Sequence, residues 1–322
     1  MRRTAIVLGL LASACMRREY GDDGNWDALD RPCVRIDRQV TTLVVEDVFE
    51  LAAAGESVVF GTRSGIHQVS VHGGDHSTIA LAGSTYNGPV GVVGNALVYY
   101  DERRDTGSTE YRGVVIDRGF VGDAERYQWV SEAEEVFGLV VMSAGAYWTE
   151  RTGATRVDRR WDPESNAITD FELPFGYPIA TNGSEFLIRI SGVELAIQPV
   201  GGGPREIIPV SRAATPAALA PDGEAYFTLD ADISSTTELV AKPRGGDLRV
   251  LVQNQQSGYG VLLRNHYYWT QGLAIMRVPR DGSRPAQSVY QSPEGGVAGL
   301  ASDGCNLYWR EDTNRIRAMS PD

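Results

Sequence analysis

The sequence predicts an all-β protein, a seven-bladed β-propeller closed by an N-terminal strand, with six blades as the alternative. Three observations point there. A short aromatic run recurs at near-constant spacing, Asn-Gly and Asp-Gly turn signals punctuate the repeats, and 36 of 322 residues are glycine. That glycine share is about a tenth, above the usual ~7%. No unit shows the 3.6-residue apolar periodicity that a helical repeat of similar length needs.

Composition sets the outer limits. The chain is 42% hydrophobic and 22% charged, a globular composition, with a formal net charge of −12. Its basic residues are arginines except for Lys242. A net acid without a basic cluster argues against nucleic-acid binding and against peripheral attachment to anionic lipid.

The first fourteen residues read as a signal peptide. Arg2 and Arg3 supply the positive start, Ile6 to Leu11 the apolar stretch, and Ala12-Ser13-Ala14 the small residues before Cys15. The stretch is far shorter than the ~20 residues that span a bilayer. Leu10-Leu11-Ala12-Ser13-Ala14-Cys15 resembles a bacterial lipobox, which implies a lipid anchor on Cys15 and an outer-membrane lipoprotein facing periplasm or cell surface. If Cys15 is not lipidated, the protein is secreted. Residues 15–32 are polar and aperiodic, a flexible tether, and residues 33–322 form a single propeller domain.

The repeat is carried by Val58-Val59-Phe60, Val98-Tyr99-Tyr100, Ala146-Tyr147-Trp148, Glu185-Phe186-Leu187, Ala225-Tyr226-Phe227, Tyr267-Tyr268-Trp269 and Leu307-Tyr308-Trp309. The final residues of these runs lie 40, 48, 39, 40, 42 and 40 apart, the period of a propeller blade. Each unit divides into strand A, a tight turn (Asn182-Gly183, Asp222-Gly223, Asp303-Gly304), strand B with the aromatic run, strand C, a glycine-rich turn, and strand D. Glycine after Asn or Asp suits a two-residue hairpin turn with positive φ. The 48-residue spacing predicts an insertion around 101–109 or 119–125. The chain ends where the other units turn from C into D, so Val40–Val45 is expected to supply the missing outer strand and leave no free edge. Cys33 precedes that strand and Cys305 lies in the A–B turn of the blade it completes, so a disulfide between them is the expectation in an exported protein.

Tyr147-Trp148-Thr149-Glu150, Tyr268-Trp269-Thr270-Gln271 and Tyr308-Trp309-Arg310-Glu311 resemble the YWTD repeats of low-density-lipoprotein-receptor-type propellers, and resemble exported bacterial propeller proteins still more. The resemblance is strongest in the last two units. It implies ligand or protein binding on a rigid ring, no enzyme, and six blades in the receptor members.

Chemical motifs are sparse. No Walker loop, Gly-x-Ser-x-Gly elbow, His-Glu-x-x-His or Cys-x-x-Cys occurs, so no catalytic residue, metal or cofactor is assigned. His72-Gly73-Gly74-Asp75-His76 coincides with a C–D turn, and Asp230 to Glu238 lacks the glycine and final acid of a calcium loop. The D–A segments of a propeller gather around one mouth of its channel, and four carry an aromatic: Tyr86, Trp129, Tyr177 and Tyr259. With Asp101 and Glu150 nearby, they form the candidate ligand face. The functional expectation is a monomeric, non-enzymatic binding or scaffold module at the cell envelope, taking a protein, glycan or small molecule. The alternative is a secreted propeller enzyme, a metal-assisted lyase or hydrolase, with its site at the same mouth.

Overall fold

The computed structural model describes residues 35–321 apart from 37, 46, 55, 82–89, 94–95, 105–109, 118–126, 130–132, 134, 143–144, 172–176, 231–236, 256–259 and 313. Every regular element among the described residues is a strand. After β1 (Thr41–Val45), the strands follow in sequential fours. These are β2 (Leu51–Ala54), β3 (Ser57–Thr62), β4 (Gly65–Ser70) and β5 (Ser77–Leu81), then β6 (Val90–Val93), β7 (Ala96–Arg104), β8 (Glu110–Asp117) and β9 (Tyr127–Trp129). Next come β10 (Glu135–Met142), β11 (Gly145–Thr152), β12 (Thr155–Trp161) and β13 (Ile168–Phe171), then β14 (Tyr177–Thr181), β15 (Glu185–Ser191), β16 (Glu194–Pro199) and β17 (Glu206–Pro209). They are followed by β18 (Ala214–Leu219), β19 (Ala225–Asp230), β20 (Thr237–Lys242) and β21 (Arg249–Gln255), and by β22 (Gly260–Leu263), β23 (His266–Gln271), β24 (Ala274–Pro279) and β25 (Gln287–Gln291). The chain closes with β26 (Val297–Ser302), β27 (Leu307–Glu311) and β28 (Arg315–Met319).

Each group of four makes one antiparallel sheet, and the last three strands take β1 as their fourth, so the described strands form seven four-stranded sheets. The innermost strands touch in a cycle: β2 against β6, then β10, β14, β18, β22 and β26, which lies back against β2. At the closure Thr41 pairs Ala318, Thr42 pairs Arg317, Val44 pairs Ile316 and Val45 pairs Arg315. The C-terminal edge is thereby covered by a strand from the opposite end of the chain.

Both faces of each sheet press on a neighbour, so a second strand reads as a continuous apolar run instead of an alternating one. Val58, Val59 and Phe60, like Tyr267, Tyr268 and Trp269, are all essentially inaccessible to solvent. Alternate residues serve opposite partners: Tyr267 and Trp269 pack toward β19, whereas Tyr268 packs toward β27.

Several local expectations need correction. Leu187 is not equivalent to the tryptophan positions. It packs toward the following sheet with Phe227, and Phe186 and Ile188 face the preceding one with Tyr147. Strand side chains alternate, so a one-residue slip in an apolar run changes which interface a residue serves. The A–B turns expected from Asn182-Gly183, Asp222-Gly223 and Asp303-Gly304 are also longer than two residues. Thr181 pairs Phe186, Leu219 pairs Ala225 and Ser302 pairs Leu307. Asn182 Oδ1 accepts from the amides of Ser184 and Glu185, and Asp303 Oδ1 from those of Cys305 and Asn306. These side-chain caps satisfy the wider loops, while Gly183, Gly223 and Gly304 take φ of 92°, 82° and 87°. The long second spacing is spent in part on β7 and β8 themselves, of nine and eight residues; residues 105–109 and 118–126 lie outside the described set.

Candidate functional site

Because the strands of each sheet alternate in direction, the D–A connections and B–C turns emerge on one side, here the upper face, and the A–B and C–D turns on the underside. The sequence-predicted ligand face belongs to the upper side. Tyr86 and Tyr259 lie outside the described residues. Trp129 and Tyr177 are not in connections: Trp129 is the last residue of β9 and Tyr177 the first of β14, with Asp101 inside β7 opposite Gly113. Only the backbone is described at these three.

Glu150 is buried, and both of its oxygens are engaged inside its own blade. Trp148 Nε1 donates to Oε2 at 3.3 Å and Arg159 Nε to Oε1 at 2.5 Å. The arrangement follows from strand geometry, since residues two apart share a face. It recurs where Trp269 Nε1 donates to Gln271 Oε1 at 3.2 Å. In the last blade the pattern breaks. Glu311 accepts instead from Tyr290 at 2.5 Å and Arg317 at 2.6 Å, and Trp309 Nε1 is buried without a partner.

The upper opening also holds a group that sequence reasoning missed, at the seam where β1 hands over to β2. Arg310, near the end of β27, donates through one nitrogen to the carbonyls of Val48 at 3.1 Å and Phe49 at 2.9 Å. The same segment is clamped to β3: Phe49 N donates to Gly61 O and Gly61 N to Glu50 O, both at 3.0 Å. Glu50 follows directly, at the entrance to the innermost strand. Its side chain is exposed, yet burial within the surrounding protein pushes its carboxyl above the ordinary range, against the pull of the Arg310 guanidinium. Around the same opening Arg63 meets Asp47 at 3.3 Å, Asp312 accepts from Gly296 N at 3.2 Å, and Arg315 pairs Glu294. A Cβ at Gly295 would lie 1.8 Å from Asp312 Oδ1, so the Asp312 side chain sits directly over the Gly295 backbone. Glu50 carries no motif, and Arg310 reads as one letter of the Tyr-Trp-Arg-Glu phrase, so only the ring's closure unites them.

Other predicted features fall elsewhere. Cys305 is disulfide-bonded; Cys33 and the lipid-anchor position Cys15 lie outside the described residues, as does the signal segment. Near Cys305, Ile36 N donates to Asn306 Oδ1 at 3.3 Å, bringing the entering chain to the A–B turn of the last sheet. His72 and His76 are exposed. His67 is buried, with Nε2 2.9 Å from Thr62 Oγ1 and Nδ1 3.3 Å from Thr78 Oγ1. Among the described residues no group of three or more His, Cys, Asp or Glu side chains is placed to hold a metal ion. Glu238 of the calcium-like stretch pairs with Arg212, and residues 231–236 are outside the described set.

With this geometry the chain belongs to the architecture of β-propellers. No protein-family model and no curated protein matches its sequence. Solved structures match across most of its length. YCF48 bound to D1 peptide superposes with TM-score 0.60 at 12% identity, covering 92% of this chain and 99% of that one. The β-propeller domain of Myceliophteria thermophila Cps50 (Swd1) gives 0.60 at 12% identity, covering 88% and 100%. Virginiamycin B lyase from Staphylococcus aureus with quinupristin gives 0.58 at 11%, covering 88% and 99%. At such identities the likeness is one of fold. These neighbours are β-propellers of diverse roles, and the finer YWTD-type affiliation does not follow from them.

Proposed function

We propose that this protein is a non-enzymatic binding module at the cell envelope, anchored through lipid on Cys15, that takes a peptide or protein segment at the upper mouth of its channel. The observation that carries this reading is the exposed Glu50 carboxyl at the entrance to the innermost strand, directly after the Val48 and Phe49 carbonyls on which the Arg310 guanidinium is fixed. Rigid frames present ligand groups on the connections at their rim. An exposed acid there suits an amine or guanidinium of a partner, with Phe49 as its apolar neighbour. YCF48, bound to a peptide on the same fold, is compatible with a protein ligand.

Selection of binders from a random peptide library against the purified chain tests the reading. Selected peptides are expected to be enriched in Lys or Arg and to lose at least ten-fold in affinity for Glu50→Gln. Selected peptides that bind the variant equally well would remove Glu50 from the site. Anchoring is a separate measurement: Cys15→Ala should move the protein out of the membrane fraction, and continued sedimentation with membranes would refute the lipid anchor.

A further inference from the structure

The tyrosine hydroxyls near the underside are not served alike. Tyr147, Tyr226 and Tyr308 occupy equivalent places, each early in the second strand of its sheet and packed against the following sheet. The Tyr226 hydroxyl donates to Glu224, and that of Tyr308 to Asp303 at 2.7 Å. Both acids belong to the A–B turn beside the tyrosine. The corresponding stretch before Tyr147 reads Met142-Ser143-Ala144-Gly145 and contains no carboxylate. Tyr147 is 1% exposed, and among the described residues its hydroxyl is buried without a hydrogen-bond partner.

A second unused donor stands over the same phenol. Arg160 is opposite Tyr147 in the β11–β12 ladder, its guanidinium 5.8 Å from the ring centroid. Its Nε is likewise buried without a partner, although 38% of the side chain meets solvent. Asp162 approaches Arg160 Nη2 only to 3.9 Å, too far for a hydrogen bond. Its Oδ1 already accepts from the amides of Glu164 and Ser165. Phe186 and Phe171 hold the Tyr147 ring from the other sides, at 4.8 and 5.5 Å between centroids. Burial raises the phenol's pKa, against the pull of Arg160 and with the push of Asp162, so the hydroxyl is a donor at neutral pH.

We propose that this seam between the third and fourth sheets binds a carboxylate, taken by the Tyr147 hydroxyl and the Arg160 guanidinium. The site lies toward the underside, apart from the upper mouth, and does not rest on the reading given for Glu50. Two buried donors lie together where the sister positions hold an acid of the chain itself, so the group they lack is an acceptor. The planar fork of a guanidinium matches a carboxylate. Asp162 offsets the arginine charge nearby, which favours a monoanion over phosphate. Arg160 is also the cover: its exposed end turns outward, admits the acid to the phenol and closes on it. A small organic acid and the C-terminus of a peptide present the same group to this pair.

Titration of the isotope-labelled full chain with sodium benzoate at constant ionic strength, followed at the Arg160 Nε–H resonance, tests the site; Arg160→Lys identifies the resonance by its loss. A saturable downfield shift is expected, with the Kd raised about ten-fold or more in Tyr147→Phe. No saturable shift, or an equal Kd in Tyr147→Phe, overturns the proposal. That variant removes only an unpaired hydroxyl, so its melting temperature without ligand should not fall. A fall would show that the hydroxyl already has a partner and is equally fatal. The same shift produced by inorganic phosphate would reveal a simple charge site and sink the carboxylate. The peptide Gly-Gly-Phe separates the two sources: binding tighter than both benzoate and the peptide's C-terminal amide assigns the acid to a chain terminus, whereas benzoate binding as tightly as the peptide assigns a free organic acid.

Discussion

Glu50 shows how one side chain acquires a property that its neighbours in sequence do not announce. Enclosure raises its carboxyl pKa above the ordinary carboxylate value. The protonated form therefore favours folding fully below the unfolded value, and that contribution is lost as pH rises through the raised folded value. At neutral pH the charge opposes the fold. Glu50→Gln is expected to raise the calorimetric midpoint at pH 7 and leave it unchanged near pH 4; a lower midpoint at pH 7 would contradict the enclosure. Gly145 illustrates a steric requirement at the same scale. Its φ is +138°, and a Cβ would stand 2.0 Å from the Trp161 carbonyl oxygen. Backbone strain and a clash against backbone add, so Gly145→Ala is expected to cost roughly 2–4 kcal/mol in urea unfolding.

Between elements, turns of adjacent sheets are latched on the underside. Glu224, in the A–B turn of the fifth sheet, is buried, and Arg280 from the C–D turn of the sixth reaches it, Asp222 and the Tyr226 hydroxyl at 2.9 Å. Burial and the adjacent Glu224 drive the Tyr226 phenol well above its usual range. Lys242 spans the preceding pair of sheets, donating to Glu206 at 2.8 Å. Removing one member of a buried ion group leaves its partner desolvated. Arg280→Ala is expected to destabilise by about 2–4 kcal/mol, less than a full uncompensated charge because Arg249 still holds Glu224. Chemical denaturation of Arg280→Ala, Glu224→Gln and the double variant measures the coupling, and additive effects would show that the latch is not a unit.

For the molecule as a whole, stability depends on closing the ring with segments from its two ends. The β1–β28 ladder and the disulfide at Cys305 lie at that closure. If Cys33 is the partner, the loop clasped is so long that its loss costs about 5 kcal/mol on the chain-entropy model. Cys33→Ser is then expected to expose one titratable thiol at Cys305 and lower the melting temperature as much as reduction does. A Cys33→Ser protein without a free thiol would point to Cys15 as the partner.

Strand identity was legible in the sequence because it is written locally. Both-sided burial produces runs such as Tyr267-Tyr268-Trp269, and β-branched content with glycine turns bounds them. The pairing of Thr41–Val45 with the chain's end was legible for a related reason, since the last unit stops one strand short. What alternation alone leaves ambiguous was decided by packing: Leu187 and Phe186 differ by one place in an apolar run, and only the neighbouring sheet shows which of them faces it. Glu150 reads in sequence as a free acid near the mouth, yet Trp148 and Arg159 consume it, because the register of β11 with β12 sets that contact. The Glu50–Arg310 neighbourhood joins residues far apart in the chain. Composition and periodicity determine what each segment becomes; only the closed ring determines which distant charges share a dielectric environment, because electrostatic coupling depends on distance in space and not in sequence.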